Sequence, residues 1–115
     1  MVSALALASC ASGRIHSGVL SRFCGHYEKR FEVDSFRPCG LDERWWVRHE
    51  THALIQAITA PDGTVGGEAY VELLGEVGEG GRYGHLGAYD RELTVQKVVR
   101  IEPPRKACSE PDCSD

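Results

Sequence analysis

Along most of this chain, apolar and polar residues alternate with a period of two, in short runs broken by proline and glycine. Between Tyr27 and Phe36, Phe31 and Val33 alternate with Glu32 and Asp34, which predicts one strand with a wet face, stopped at Arg37-Pro38-Cys39-Gly40. Leu41-Asp42-Glu43 turns the chain into a second strand, Arg44 to Glu50. There Trp45, Val47 and His49 share one face, and Trp46, Arg48 and Glu50 share the other. One tryptophan must therefore point outward or sit under a neighbouring loop. From Thr51 to Ala60 the spacing of Leu54, Ile55 and Ile58 is helical, Thr51 is a suitable N-cap, and Pro61-Asp62-Gly63 ends the segment. A third strand is expected over Ala69 to Val77, followed by the turn Gly78-Glu79-Gly80-Gly81. The last strand, Leu93 to Glu102, places Leu93, Val95, Val99 and Ile101 inward, with Lys97 breaking the alternation at a bulge, and Pro103-Pro104 ends it.

The segment Gly80 to Gly87 has four glycines in eight residues and runs into that last strand. Gly84 and Gly87 are expected to serve backbone geometry, since glycine adopts positive φ without steric cost. Tyr83, His85 and Tyr89 are expected to pack the turn against the sheet, which makes His85 a structural turn residue. Four to five short strands with one short inserted helix make the fold class mainly β, as a small curled sheet or OB-like barrel. The expected divisions are a signal-like segment over 1–10, a linker over 11–22, one β-rich domain over 23–103 and a polar tail over 104–115. Ile15, Val19 and Leu20 show no period within the linker.

At 115 residues the chain has room for one domain, and 42% hydrophobic with 26% charged residues excludes the composition of disorder. A formal net charge of -4 opposes broad attraction to nucleic acid or anionic membranes, which needs a clustered basic face. No nucleic-acid partner is expected.

Five cysteines in so short a chain point to an oxidising compartment. Cys10 closes the small and apolar run Val2-Ser3-Ala4-Leu5-Ala6-Leu7-Ala8-Ser9. Leu7-Ala8-Ser9-Cys10 resembles the lipobox of bacterial lipoproteins. The resemblance implies cleavage before Cys10, lipid on its thiol, and a membrane partner held through that anchor. The run departs from a full signal in having no Lys or Arg before it and only nine residues ahead of Cys10, against about 15–30 in a secretory signal. A start codon upstream would supply the rest. If the motif is spurious, the chain is a cytoplasmic β-domain protein.

The pattern Phe31-Glu32-Val33 with Ser35-Phe36-Arg37-Pro38-Cys39, then Trp45-Trp46-Val47, then Tyr83-Gly84-His85-Leu86-Gly87-Ala88-Tyr89-Asp90-Arg91-Glu92-Leu93 resembles a group of uncharacterised lipoproteins of Gram-negative bacteria, across most of residues 25 to 102. That resemblance implies a bacterial cell-envelope address, facing the periplasm or cell surface, and carries no activity with it.

Chemistry-bearing clusters are few. Cys24, Cys39, Cys108 and Cys113 allow two disulfides in three connectivities; a Cys24–Cys39 pair would close a short loop around the first strand. Cys24, His26, Cys39, His49 and His52 lack the paired spacing of a zinc site, so no metal is expected. The glycine run lacks GK[ST] and leads into a strand, so it is a turn and not a phosphate cradle; no cofactor is expected. Trp46, Arg48 and Tyr70 are the candidate ligand face of an OB-type barrel. With no catalytic constellation in view, the expected function is that of an envelope lipoprotein acting as an interaction or structural module with an envelope protein partner, and not an enzyme. The alternative is a small ligand-binding barrel.

Overall fold

The stretch from Tyr27 to Phe36 is two strands and not one. In a computed structural model, which describes residues 15–109, β1 spans Ser21–Arg30 and β2 spans Val33–Pro38. Phe31 and Glu32 form the tip between them, with Arg30 opposite Val33 and Glu32 at φ 59. A two-residue tip reverses the parity of the side chains. Tyr27 and Phe36 therefore face each other inside, Asp34 turns inward, and Phe31 is left 88% exposed. The expected placement of Phe31 inside and Asp34 outside is corrected accordingly.

β1 also begins earlier than the linker boundary at residue 22 allows. Its ladder with β4 (Gly67–Val77) runs from Ser21 opposite Gly75 to Lys29 opposite Gly67. The core covers Phe23 on one face while Cys39, Tyr70 and Cys108 cover Cys24 on the other, so Phe23, Cys24 and Gly25 are buried in succession and the alternation a sequence reading needs is erased.

β3 (Trp45–His49) keeps its expected faces, with Trp45 and Val47 buried and Arg48 exposed. The helix is shorter than expected: α1 is Ala53–Ala57, entered after a hydrogen bond from the Ala53 N–H to Thr51 Oγ1. β5 runs Arg91–Glu102. The strands close into a barrel in the order β1-β2-β3-β5-β4, antiparallel except where β3 and β5 run parallel. This order, with α1 between β3 and β4, is that of a small OB-like barrel.

Side chains fill the interior. Tyr27, Phe36, Trp45, Leu54, Leu73 and Leu93 are fully buried, and Trp45 packs edge-on to Phe23 at 5.2 Å and tilted on Phe36 at 5.7 Å. The expected break in β5 is present as register shifts on either side of Lys97: Gly75 pairs Val95, Leu74 pairs Lys97, Leu73 pairs Val98 and Glu72 pairs Arg100. Skipping Gln96 and Val99 re-phases the strand. Leu93 and Val95 are buried and Val98 packs on the core, but Val99 and Ile101 lie outside, contrary to their expected inward placement.

Candidate functional site

β2 and β3 share only two residue pairs, Ser35 with Trp46 and Phe36 with Trp45. Beyond them a side-chain bridge replaces the ladder. The Asp34 carboxylate accepts from the Tyr27 hydroxyl at 2.7 Å and from His49 Nε2 at 2.9 Å, joining β1, β2 and β3. Burial first, and then the hydrogen bond to Asp34, holds the Tyr27 phenol well above its ordinary range. His49 Nδ1 is buried without a hydrogen-bond partner. That nitrogen is sealed from solvent, so the cluster holds strands together; a general base must reach its substrate.

The outer face of β3 carries the first group of candidate residues. Trp46 lies half-buried under the β4–β5 loop, residues 78–90, with its ring 5.1 Å from that of Tyr89. The Arg44 guanidinium stands 4.7 Å over the Tyr89 ring and donates to its hydroxyl at 3.2 Å. The loop is itself well bonded. Tyr83 and Tyr89 exchange both backbone hydrogen bonds, Gly81 N–H donates to Asp90 O, and Arg44 and Asp90 bond reciprocally at 2.8 Å. Between the tyrosines two overlapping turns close, with Gly87 N–H donating to Gly84 O at 3.0 Å and Ala88 N–H to His85 O at 3.3 Å, and Leu86 stands at φ 60.

Gly84 and Gly87 have φ values of 69° and 64°. Both lie in the left-handed region that favours glycine. Of the three aromatic residues of the turn, Tyr89 is buried against Trp46, Tyr83 is half-buried and donates to Glu79 O at 2.9 Å, and His85 is exposed. His85 reaches back to the β1–β2 tip, where its Nε2 lies 3.3 Å from Glu32 Oε1.

Tyr70 is elsewhere. It lies on β4 opposite Glu102, at the far end of β5 from Glu92, the partner of Trp46. Trp46 and Arg48 therefore share a face, and Tyr70 belongs to a second surface where the C-terminal segment crosses β1 and β4. There the Arg105 N–H donates to His26 Nε2 at 3.0 Å, and the Arg105 guanidinium covers the Tyr70 ring at 3.8 Å. The Cys39–Cys108 disulfide, between residues 69 apart in sequence, fastens the segment. This excludes the short-range Cys24–Cys39 pair; Cys24 also stands in a disulfide, and it is buried beside Cys39 and Tyr70. Residues 104–108 of the polar tail are thus bound to the barrel. Cys10 and Cys113 lie outside the described residues.

Burial lowers the His26 pKa below its ordinary value, and the nearby Arg37 and Arg105 charges act in the same direction. Tyr70 is raised by burial and then by its hydrogen bond to Glu72. For Glu72, burial pushes the pKa up but is outweighed by hydrogen bonds from Arg22 and Tyr70 and by the Arg100 charge, leaving it lowered. Between this segment and the β2–β3 connection lies a groove of about 630 Å³, lined among others by His26, Arg37, Asp42, Glu68, Arg105 and Lys106. His26, Cys24 and Cys39 come close together, but the two cysteines are in disulfides; among the described residues no group of three or more His, Cys, Asp or Glu side chains is placed to hold a metal.

No protein-family model, curated protein or solved structure matches the chain. The site therefore rests on its own geometry. Sequence reasoning missed the Tyr27–Asp34–His49 cluster, the strap formed by Arg105 and His26, and the contact between the two loop tips. None of these had a signal in spacing, because each joins residues brought together only by barrel closure.

Proposed function

We propose that this chain is a lipid-anchored protein of the bacterial envelope that works by binding and not by catalysis. The observation that carries the reading is the Cys39–Cys108 disulfide, because a cross-link of this kind persists in an oxidising compartment and is rare in reducing cytosol. It agrees with the lipobox-like Leu7-Ala8-Ser9-Cys10 ahead of the domain. The packed interior leaves binding to the outside of the barrel. Trp46, Arg44 and Arg48 are residue types that dominate protein interfaces, and we assign them the contact with an envelope protein partner, with Tyr89 holding Trp46 from beneath.

Metabolic labelling with a clickable palmitate analogue tests the address, using the chain with a basic signal n-region added ahead of Met1 in a Gram-negative host. Wild type should label and Cys10→Ala should not. Equal labelling of both, or of neither, overturns the anchor, and the chain then reads as a cytoplasmic β-domain protein. The groove beside Arg105 and Lys106 favours a second reading, a small-ligand barrel. A thermal-shift screen against phosphate and small carboxylates should then give a stabilisation that Lys106→Ala removes; no shift with any of them dismisses this reading.

A further inference from the structure

We infer that the β1–β2 tip and the β4–β5 loop together form a membrane-contacting surface, on which Phe31 and Leu86 enter the boundary between lipid headgroups and acyl chains. Phe31 and Leu86 are 88% and 84% exposed, the most exposed of the large hydrophobic side chains among the described residues. Their loops are neighbours, joined by His85 and Glu32 at 3.3 Å, so the two apolar side chains flank one polar contact.

Backbone strain marks the same spot. Among the described residues only Glu32 and Leu86 are non-glycine residues with positive φ, at 59° and 60°. Glycine or asparagine would hold those turns at lower cost. A leucine that is strained and buries nothing within its own chain owes its place to something its side chain meets outside.

The occupant follows from area and charge. An aromatic side chain and a leucine together bury roughly 300 Å², far below the about 800 Å² per partner of a stable protein interface. Single hydrophobes standing on loop tips suit insertion into a bilayer interface, where no matching pocket is needed. Lys29 and Arg30 precede Phe31, Arg82 lies in the second loop, and Arg48 stands exposed on the adjoining strand. Charge at the tips is mixed: Lys29, Arg30 and Arg82 stand with Glu28, Glu32, Glu79 and Asp90, and Arg30 is paired with Glu28. Long cationic side chains can reach lipid phosphates while the tips go deeper. The inference does not depend on lipidation of Cys10.

The test uses the full chain as Cys10→Ser, unlipidated, sedimented with vesicles of phosphatidylethanolamine and phosphatidylglycerol or of phosphatidylcholine alone. Binding is expected to both, since the apolar tips carry it, and Phe31→Ser and Leu86→Asn should each weaken it by about tenfold. Leu86→Asn should melt no lower than the parent chain, because asparagine accepts positive φ; a merely structural Leu86 predicts a lower melt. A Phe31→Trp variant should gain emission that brominated lipid quenches. Absence of vesicle binding, or equal binding by the Phe31→Ser/Leu86→Asn double variant, overturns the inference. So does a wild-type dimer in sedimentation velocity that Phe31→Ser dissociates, which would assign the tips to contact between copies.

Discussion

Gly84 and Gly87 share a turn and a positive φ, yet the space around them differs. A Cβ on Gly84 would overlap the Trp46 ring, whereas one on Gly87 would meet only Arg82 Cβ at 3.6 Å. Gly84→Ala should therefore cost about 2 kcal/mol or more in thermal melts, combining strain with the loss of the Trp46 stack, and Gly87→Ala about 1 kcal/mol. His85→Ala should be milder than either, since the His85–Glu32 contact is exposed. Equal effects of the two glycine variants would mean that the ring shifts freely and that Trp46 does not set the loop's position. Inside the barrel, Asp34→Ala should be destabilising by about 1–3 kcal/mol in denaturant melts, because it strands the Tyr27 hydroxyl and His49 Nε2 together; Tyr27→Phe removes one donor and should cost only about 1 kcal/mol. Glycine's role at 84 and 87 was legible from local spacing. Asp34's was not, because a two-residue tip flips parity without leaving a proline or glycine to announce it.

The strap over β1 and β4 joins three kinds of contact on one short segment. Its disulfide closes a loop of 69 residues, so the Cys39→Ser/Cys108→Ser double variant should lose about 4 kcal/mol at most in the chain-entropy model, read as a lowered unfolding midpoint. Burial of the His26 ring adds a dependence on pH whose sign follows from its lowered pKa. Folding favours the neutral ring, which accepts the Arg105 N–H. The stability it contributes is therefore full above its ordinary value of 6.5 and is lost as the pH falls through the lower folded-state value. The melting-temperature advantage of wild type over His26→Ala should accordingly be larger at about pH 8 than at about pH 5. An advantage that grows on acidification would show that His26 is held in its charged form, against this geometry. Nothing in the sequence pairs residue 26 with residue 105; the contact exists because β1 and β4 are neighbours and β5 delivers the segment across them.

For the whole molecule, an OB-like barrel with Trp46 and arginines on its outer face invites a single-stranded nucleic-acid reading, and the net charge of -4 argues the other way. A fluorescein-labelled oligothymidine should show no change in anisotropy with the chain at about physiological salt, since affinity of this kind rests on counterion release by clustered cations. Saturable binding weakened by Trp46→Ala would place the chain among nucleic-acid binders. Barrel closure also spreads a residue's neighbours over the chain: β1 pairs with β4 and β3 with β5, so distant segments determine which faces are covered.

What the sequence alone determined is what local physics controls. Alternation placed β3, β4 and much of β5, proline and glycine set their ends, helical spacing found α1, and glycine density found the strained turn before β5. The β-rich class and the OB-like shape followed from those elements in that order. The tertiary structure decided the rest. It turned one expected strand into a hairpin, re-phased β5 so that Val98 packs inward and Val99 faces out, separated Tyr70 from Trp46 and Arg48, and chose Cys108 as the partner of Cys39. Each of these depends on strand register and on contacts between segments far apart in the chain. Side-chain periodicity reports which face a residue prefers, and carries no information about which strand will lie beside it.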